Sequence, residues 1–263
     1  MQGVQFWNRF YETMKHHRQS PFTAELYDKI ESLIPDDVST ILDAGCGGGA
    51  LMHKLARTGK WDIEGVDTSE VGVRHIVGDL GLGASIGSIT ALEFCDDAFG
   101  LVICSEVVEH LREAELADAF RQLFRVAKKA VIVTTPYREH IKYHQVRCNH
   151  CCSEFHMAGH IRSVDEQFFR ERISNYTANY EFHFSGTRPY CSVLFAELIR
   201  MLGHNVIWRK DLDCPICGRV VDKNESGYVA RGILVLYRIF QSLTKHLGLF
   251  SQPNNIILLA YKQ

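Results

Sequence analysis

The chain has 263 residues, is 46% hydrophobic and 23% charged, and carries a formal net charge of −2. That balance is ordinary for a globular protein with a real core, and nothing global in it argues for binding nucleic acid. The N-terminal MQGVQFWNRFYETMKHHRQS has no apolar run followed by a small-residue cleavage site, so no signal peptide is expected and the cytoplasm is the expected location. Nine cysteines, an odd count in a reducing compartment, point to core packing, metal ligation or nucleophilic roles rather than a disulfide framework. No internal repeat or Gly/Ser/Pro linker divides the sequence, so residues 1–263 are expected to form a single domain carrying insertions.

In chain order, residues 1–37 contain QFWNRFYETMKHHRQSPF, which reads as a helix. Residues 38–136 then carry the clearest signal. A strand over Thr40–Ala44 leads into a glycine loop, Gly45–Gly49, then a helix over Ala50–Thr58 and a second strand over Asp62–Val66. Ile41 and Leu42 suit a strand buried on both faces, while Leu51, Leu55 and Ala56 share one helical face. Gly45 and Gly47 permit a tight turn and close approach of a ligand to the backbone. The string GCGGGA alone also satisfies a dinucleotide fingerprint with alanine in the last place. Two acids shift the balance. Asp43, two residues before the first glycine, can reach an amino group on a ligand, and Asp67, ending the next strand, can accept from both ribose hydroxyls. An amine-bearing adenosine compound uses both; a nicotinamide dinucleotide has no use for the first.

LDAGCGGG at Leu42–Gly49, GVDTS at Gly65–Ser69 and LEFCDDAFGLVICSEVVEHL at Leu92–Leu111 together resemble the class I S-adenosylmethionine-dependent methyltransferases. The resemblance covers roughly residues 38–136 and implies a Rossmann-like α/β fold, with a seven-stranded, mostly parallel sheet flanked by helices. It implies S-adenosyl-L-methionine as cofactor, with Gly45, Cys46 and Gly47 lining the methionine part and Asp43 near its amino group. Asp67 would hold the ribose and Thr68 would sit beside the adenine. Where the family often has an acid for the adenine amino group, this chain has Ser88 followed by Ile89, and Cys104 and Ser105 close strand four at the mouth of the site. The N-terminal helix would cover the cofactor, as in relatives.

SEVVEHL places Glu106, Glu109 and His110 at i, i+3 and i+4, which predicts one face of a helix after strand four. Small-RNA 2′-O-methyltransferases bind Mg²⁺ through such a triplet plus another histidine, whereas across the superfamily such helices mostly serve packing and cofactor support. The second role is the expected one for the carboxylates, with His110 a candidate general base. Further on come a helix and strand five, ending at Thr135 and Pro136. SVDEQFFRERI then reads as a helix capped by Ser163 with Glu166 in the capping-box place. Strand six is expected near Tyr180–Gly186, and NNIILLAYKQ should be an antiparallel final strand.

Insertions are expected at 137–165 and 187–253, after strands five and six. The first contains CNHCCSEFHMAGH (148–160), the second the helix-like CSVLFAELIRML and then CPICG (214–218). A Cys-Pro-x-Cys-Gly turn is typical of a zinc knuckle, so Cys148, Cys151, Cys214 and Cys217 are the expected ligands of a closed, structural zinc stapling a lid. Two rivals stand beside it: a local site of Cys148, Cys151, His156 and His160, or reduced side chains lining a pocket. Under the four-cysteine reading His156 and His160 face substrate, with His160 a second catalytic candidate. In YVARGILVLYRIFQSLTKHL (228–247), Arg231, Arg238 and Lys245 recur every seven residues beside an apolar face. The segment suits a packed helix first, and peripheral membrane contact or a lid over a hydrophobic substrate second.

The expected function is methyl transfer from S-adenosylmethionine to an oxygen, or failing that a nitrogen, of a small-molecule acceptor, with no nucleic-acid partner. An RNA 2′-O-methyltransferase and a non-catalytic binding protein are the alternatives; sequence leaves the oligomeric state open.

Overall fold

The computed structural model describes residues 4–14, 21–189, 212–221, 232, 235–236, 239 and 251–262. The expected helix over CSVLFAELIRML and the cations Arg231, Arg238 and Lys245 lie outside the described residues. The chain divides into two compact units: one formed by Met1–Tyr137, Val164–Gly186 and Asn255–Gln263, the other by Arg138–Ser163 and Thr187–Asn254.

The first unit opens with helices α1 (Val4–Met14) and α2 (Pro21–Ser32). The Rossmann-like succession follows: β1 (Thr40–Ala44), α3 (Ala50–Ala56), β2 (Asp62–Asp67), α4 (Glu70–His75), β3 (Gly83–Ile86), β4 (Phe99–Ser105), α5 (Glu113–Val126) and β5 (Ala127–Pro136). In the second unit lie the short strands β6 (Gln145–Arg147) and β7 (Glu154–His156). The chain then enters α6 (Glu166–Ile173), β8 (Tyr180–Pro189) and finally β9 (Ser251–Tyr261). The large sheet has the order β3-β2-β1-β4-β5-β9-β8. Its first five strands are parallel neighbours, and β9 runs antiparallel to β5, with Val133 opposite Leu258. The seven-stranded, mostly parallel sheet is therefore the architecture expected, including its antiparallel last strand.

Alternation along the strands fills both faces of this sheet. On β4, Val102 and Cys104 join a cluster containing Phe120, Leu123 and Phe169 from α5 and α6. Leu101 and Ile103 point the other way, into a cluster with Ile30 of α2 and Leu55 of α3. Burial on both sides leaves the strand ends and their loops as the place for chemistry.

Two local expectations are corrected. Helix α6 is capped not by Ser163 but by Asp165, whose carboxylate accepts the Phe168 N–H at 3.1 Å. A carboxylate at the cap also meets the positive end of the helix, which favours Asp here. Glu166 is thereby released from a capping box and accepts the Tyr137 hydroxyl at 2.9 Å. The second correction concerns Glu106, Glu109 and His110. The chain takes a left-handed turn at Glu106 (φ 58°), and only Val108–His110 form a helical turn, of the 3₁₀ type. The single α-helical face expected for the triplet is therefore not formed.

Candidate active site and thiol cluster

Asp43 and Gly65 are register partners at the ends of β1 and β2, so the two strands deliver their loops side by side. The Gly45 and Cys46 N–H groups both donate to the Val66 carbonyl, at 2.7 and 3.1 Å, which turns the chain sharply after β1. Gly45 (φ 88°) and Gly47 (φ 56°) supply the left-handed backbone. A Cβ on Gly45 would lie 2.4 Å from Val107, and one on Gly47 would lie 2.3 Å from the Tyr11 hydroxyl oxygen. The loop is thus a cradle with no room for side chains at these two positions.

The Asp67 carboxylate accepts the N–H of Gly47 at 2.8 Å and of Ser69 at 2.7 Å, tying the ends of both loops together. Burial still raises its pKa, against those backbone hydrogen bonds. Asp43 is more extreme. Burial, and secondarily the nearby Asp67 charge, push its pKa up to about 7. Cys46 is buried too, and burial raises its thiol, so it packs as a neutral side chain rather than acting as a nucleophile.

Thr68 follows Asp67 and is half-buried, while Ser69 caps α4 by accepting the Gly72 N–H at 3.2 Å. Helix α1 reaches the same place: Asn8 Oδ1 accepts the Ser69 hydroxyl at 2.7 Å. Ser88 lies in a turn where its hydroxyl is 2.8 Å from that of Thr90, and Ile89 beside it is core. Cys104 is fully buried in the core, so any ligand contact from it comes through its main chain. Ser105 is half-buried, its hydroxyl 2.9 Å from Thr134. Glu106 accepts from Asn255 Nδ2 at 2.8 Å and from the Thr134 hydroxyl at 3.2 Å. Glu109 is buried, and the His110 ring packs edge-on against Trp7 of α1, centroids 4.7 Å apart. No local pattern in the sequence marked Asn8, Tyr11 or Asn255 for these places.

A family profile described as a methyltransferase domain matches residues 41–130. Ubiquinone biosynthesis O-methyltransferase of Sinorhizobium fredii is 37% identical over 81 residues, 28% of this chain and 32% of that protein. The protein of the same description from Pseudomonas paraeruginosa is 28% identical over 130 residues, 47% of this chain and 53% of that one. The matched stretch thus spans between about a third and about half of these relatives' length. The crystal structure of a SAM-dependent methyltransferase from Archaeoglobus fulgidus superposes with a TM-score of 0.57 at 14% identity, covering 96% of this chain and 99% of that one. Residues 41–130 carry a methyltransferase domain. Its matched region contains the glycine cradle, both strand-end acids and His110. Among the described residues, no helix is long and apolar enough to cross a membrane.

The second unit brings four thiols together. The Sγ atoms of Cys148, Cys151, Cys214 and Cys217 all lie within 4.8 Å of one another. Cys148 faces Cys217 at 3.7 Å and Cys151 faces Cys214 at 3.6 Å. The two pairs share one backbone form. Cys148 and Cys214 each accept at their carbonyl from the residue four positions on: Cys152 N–H at 3.0 Å and Gly218 N–H at 2.9 Å. Each also donates its N–H to the carbonyl five positions on, Ser153 and Arg219, both at 2.9 Å. The residue after each pair is left-handed: Cys152 at φ 59° and Gly218 at φ 69°. Hydrogen bonding to Ser153 draws the Cys151 thiol down to about 6, towards the thiolate form that ligates metal. Cys152 therefore occupies a glycine position. Its replacement by glycine is expected to stabilise the chain by up to about 1 kcal/mol, seen as a raised thermal midpoint.

His156 and His160 do not join Cys148 and Cys151, as the local alternative required. Among the described residues they gather instead at Glu139: His144 Nδ1 lies 2.7 Å from Glu139 Oε1, and His160 Nδ1 pairs with Oε2. Burial opposes the charge on Glu139, but hydrogen bonds from His144 and His160 hold its pKa well below the usual carboxylate range. Burial pushes His156 down to about 4, leaving a neutral imidazole. Sequence reasoning passed over Glu139 and His144, although REHIKYHQ stands directly before the cysteines.

Proposed function

We propose that the chain transfers the methyl group of S-adenosylmethionine to an oxygen of a small-molecule acceptor, and that Cys148, Cys151, Cys214 and Cys217 hold a structural zinc. The observation that carries the first part is the pair of buried acids at adjacent strand ends, flanking a cradle that side chains would fill. S-adenosylmethionine supplies an activated methyl on a sulfonium centre, so the protein needs to bind, align and exclude water more than to activate. Asp67 offers carboxylate oxygens to ribose hydroxyls. Asp43, costly to ionise alone in its buried place, suits the ammonium of the methionine part, whose charge offsets that cost. Gly45 and Gly47 let the backbone come close.

His110, fixed by the Trp7 ring, is the assigned base for an acceptor hydroxyl, because a neutral imidazole can take its proton as the C–O bond forms. His160, engaged by Glu139 in the other unit, is not assigned that role. The curated relatives named as O-methyltransferases of ubiquinone biosynthesis support an oxygen acceptor on a small molecule. The matched knuckles and the four converging thiols support the zinc: a four-sulfur shell leaves no open position, so its part is structural.

Calorimetric titration with S-adenosylhomocysteine tests the reading directly. Binding is expected for the full chain, and Asp67→Asn should weaken it by roughly 10- to 100-fold. Absence of binding by the unaltered chain at millimolar ligand would remove the proposal.

A further inference from the structure

The second unit holds another converging set of donors. Strands β6 and β7 pair antiparallel with Gln145 opposite His156, and the Met157 N–H donates to the His144 carbonyl at 3.0 Å. This register brings His144 beside His156 at the base of a hairpin whose tip is the Cys148–Cys151 knuckle. Three strand residues separate the two places, a rise of about 10 Å. Glu139 is 6% exposed, and its Oε1 lies 2.7 Å from His144 Nδ1 and 3.6 Å from His156 Nε2. Donor atoms of these three residues all fall within 4.8 Å of one another, and all three residues are buried.

Hydrogen-bond accounting closes for two of the imidazoles around Glu139 and fails for the third. His144 and His160 each place Nδ1 on a carboxylate oxygen. His156 is already occupied at Nδ1, which accepts the N–H of Ala158 at 3.2 Å and of His160 at 3.1 Å. The neutral ring must then carry its proton on Nε2. That atom is buried, 3.6 Å from Glu139 Oε1, and has no hydrogen-bond partner among the described residues. A buried polar atom left this way costs on the order of 1–3 kcal/mol. Its orientation towards a carboxylate and a second imidazole is what a cation requires.

We propose that Glu139, His144 and His156 form a second metal site, distinct from the four thiols and selective for a divalent transition ion of the zinc class. Separations of 2.7 and 3.6 Å are spanned by metal–nitrogen and metal–oxygen bonds of about 2.0–2.2 Å. On binding, the ion replaces the His144–Glu139 hydrogen bond and each imidazole stays neutral by carrying its proton on the nitrogen away from the ion: Nε2 for His144 and Nδ1 for His156, where the Ala158 and His160 N–H groups give up their contacts. His160 steadies the carboxylate through its other oxygen, as partners of metal-bound carboxylates do. Two imidazoles and a carboxylate suit zinc, iron or cobalt and leave coordination positions for water, unlike the closed sulfur site.

The test is metal content and coordination of the purified full chain, loaded with zinc and desalted. About two zinc per chain are expected, with X-ray absorption showing a mixed sulfur and nitrogen/oxygen shell. Glu139→Gln should remove the nitrogen/oxygen part and leave sulfur alone; Cys214→Ser should do the reverse. A pure sulfur shell at every zinc loading, or a count unchanged by Glu139→Gln, overturns the proposal. Cobalt titration of the unaltered protein separates loss of a ligand from loss of fold. Thiolate charge-transfer absorption should saturate after one equivalent while a second equivalent still binds and adds only weak visible bands. Saturation of all binding at one equivalent overturns the second site, and absence of charge transfer with one equivalent bound overturns the sulfur site instead.

Discussion

Asp43→Asn is expected to abolish cofactor binding while making the ligand-free chain harder to unfold at pH 8. The sign follows from the direction of its shift. Burial raises the Asp43 pKa to about 7, above the value of about 4 for an unfolded chain, so between those values the native state holds a proton that the unfolded state has lost. The contribution of Asp43 to stability is therefore greatest below about pH 4 and falls as pH rises through 7. Asparagine cannot ionise and escapes that loss, roughly 2–4 kcal/mol if the full shift is realised. A cofactor ammonium reverses the balance by favouring the carboxylate, so wild-type affinity for S-adenosylhomocysteine should climb from pH 5.5 to 8 with net proton release to buffer. Chemical denaturation at pH 5 and pH 8, with calorimetry in two buffers of different ionisation enthalpy, checks both halves. A destabilised Asp43→Asn chain at pH 8, or binding independent of pH, would contradict the account.

Cys214→Ser should lose the sulfur-bound zinc and with it the order of the second unit. Among the described residues of that unit, Val146, Cys148, Met157, Leu212, Cys214 and Val221 form a buried cluster in which two of the six are themselves proposed ligands. The thiols stand inside this cluster, so losing the metal exposes its packing, and structural zinc in small motifs is worth on the order of 10 kcal/mol. Amide exchange at Val146 and Val221 should accelerate by at least about 100-fold in the variant, while strands β1, β4 and β5 stay protected. The competing ligand set of Cys148, Cys151, His156 and His160 predicts that the variant keeps its zinc. Elemental analysis therefore decides between them.

The cofactor half was legible because its chemistry is contiguous. One strand, one glycine loop and one more strand carry Asp43, the cradle and Asp67 within twenty-five residues, 43–67, and parallel register does the rest. The knuckles were legible for the same reason: each is a local turn whose residue types announce its shape. What escaped depends on tertiary pairing. His144 and Glu139 gain meaning only when β6 meets β7 and sets His144 beside His156. Glu106 was misread because i, i+3, i+4 spacing speaks for a helix, whereas a left-handed residue after β4 breaks it before it begins. Asn8 and Tyr11 come from a helix far away in sequence, and Cys152 gains its role only through a backbone angle that makes it the counterpart of Gly218.

Between Cys151 and Cys214 the chain runs back through α6 and β8, the edge strand of the large sheet. A metal shared by these thiols therefore closes a ring whose circumference includes a strand of the catalytic core. Chain-entropy arguments give closure across 63 residues a value of roughly 4 kcal/mol. Chelation would open that ring, so an agent that never touches the cofactor cleft should loosen the outermost strand of the sheet that bears it.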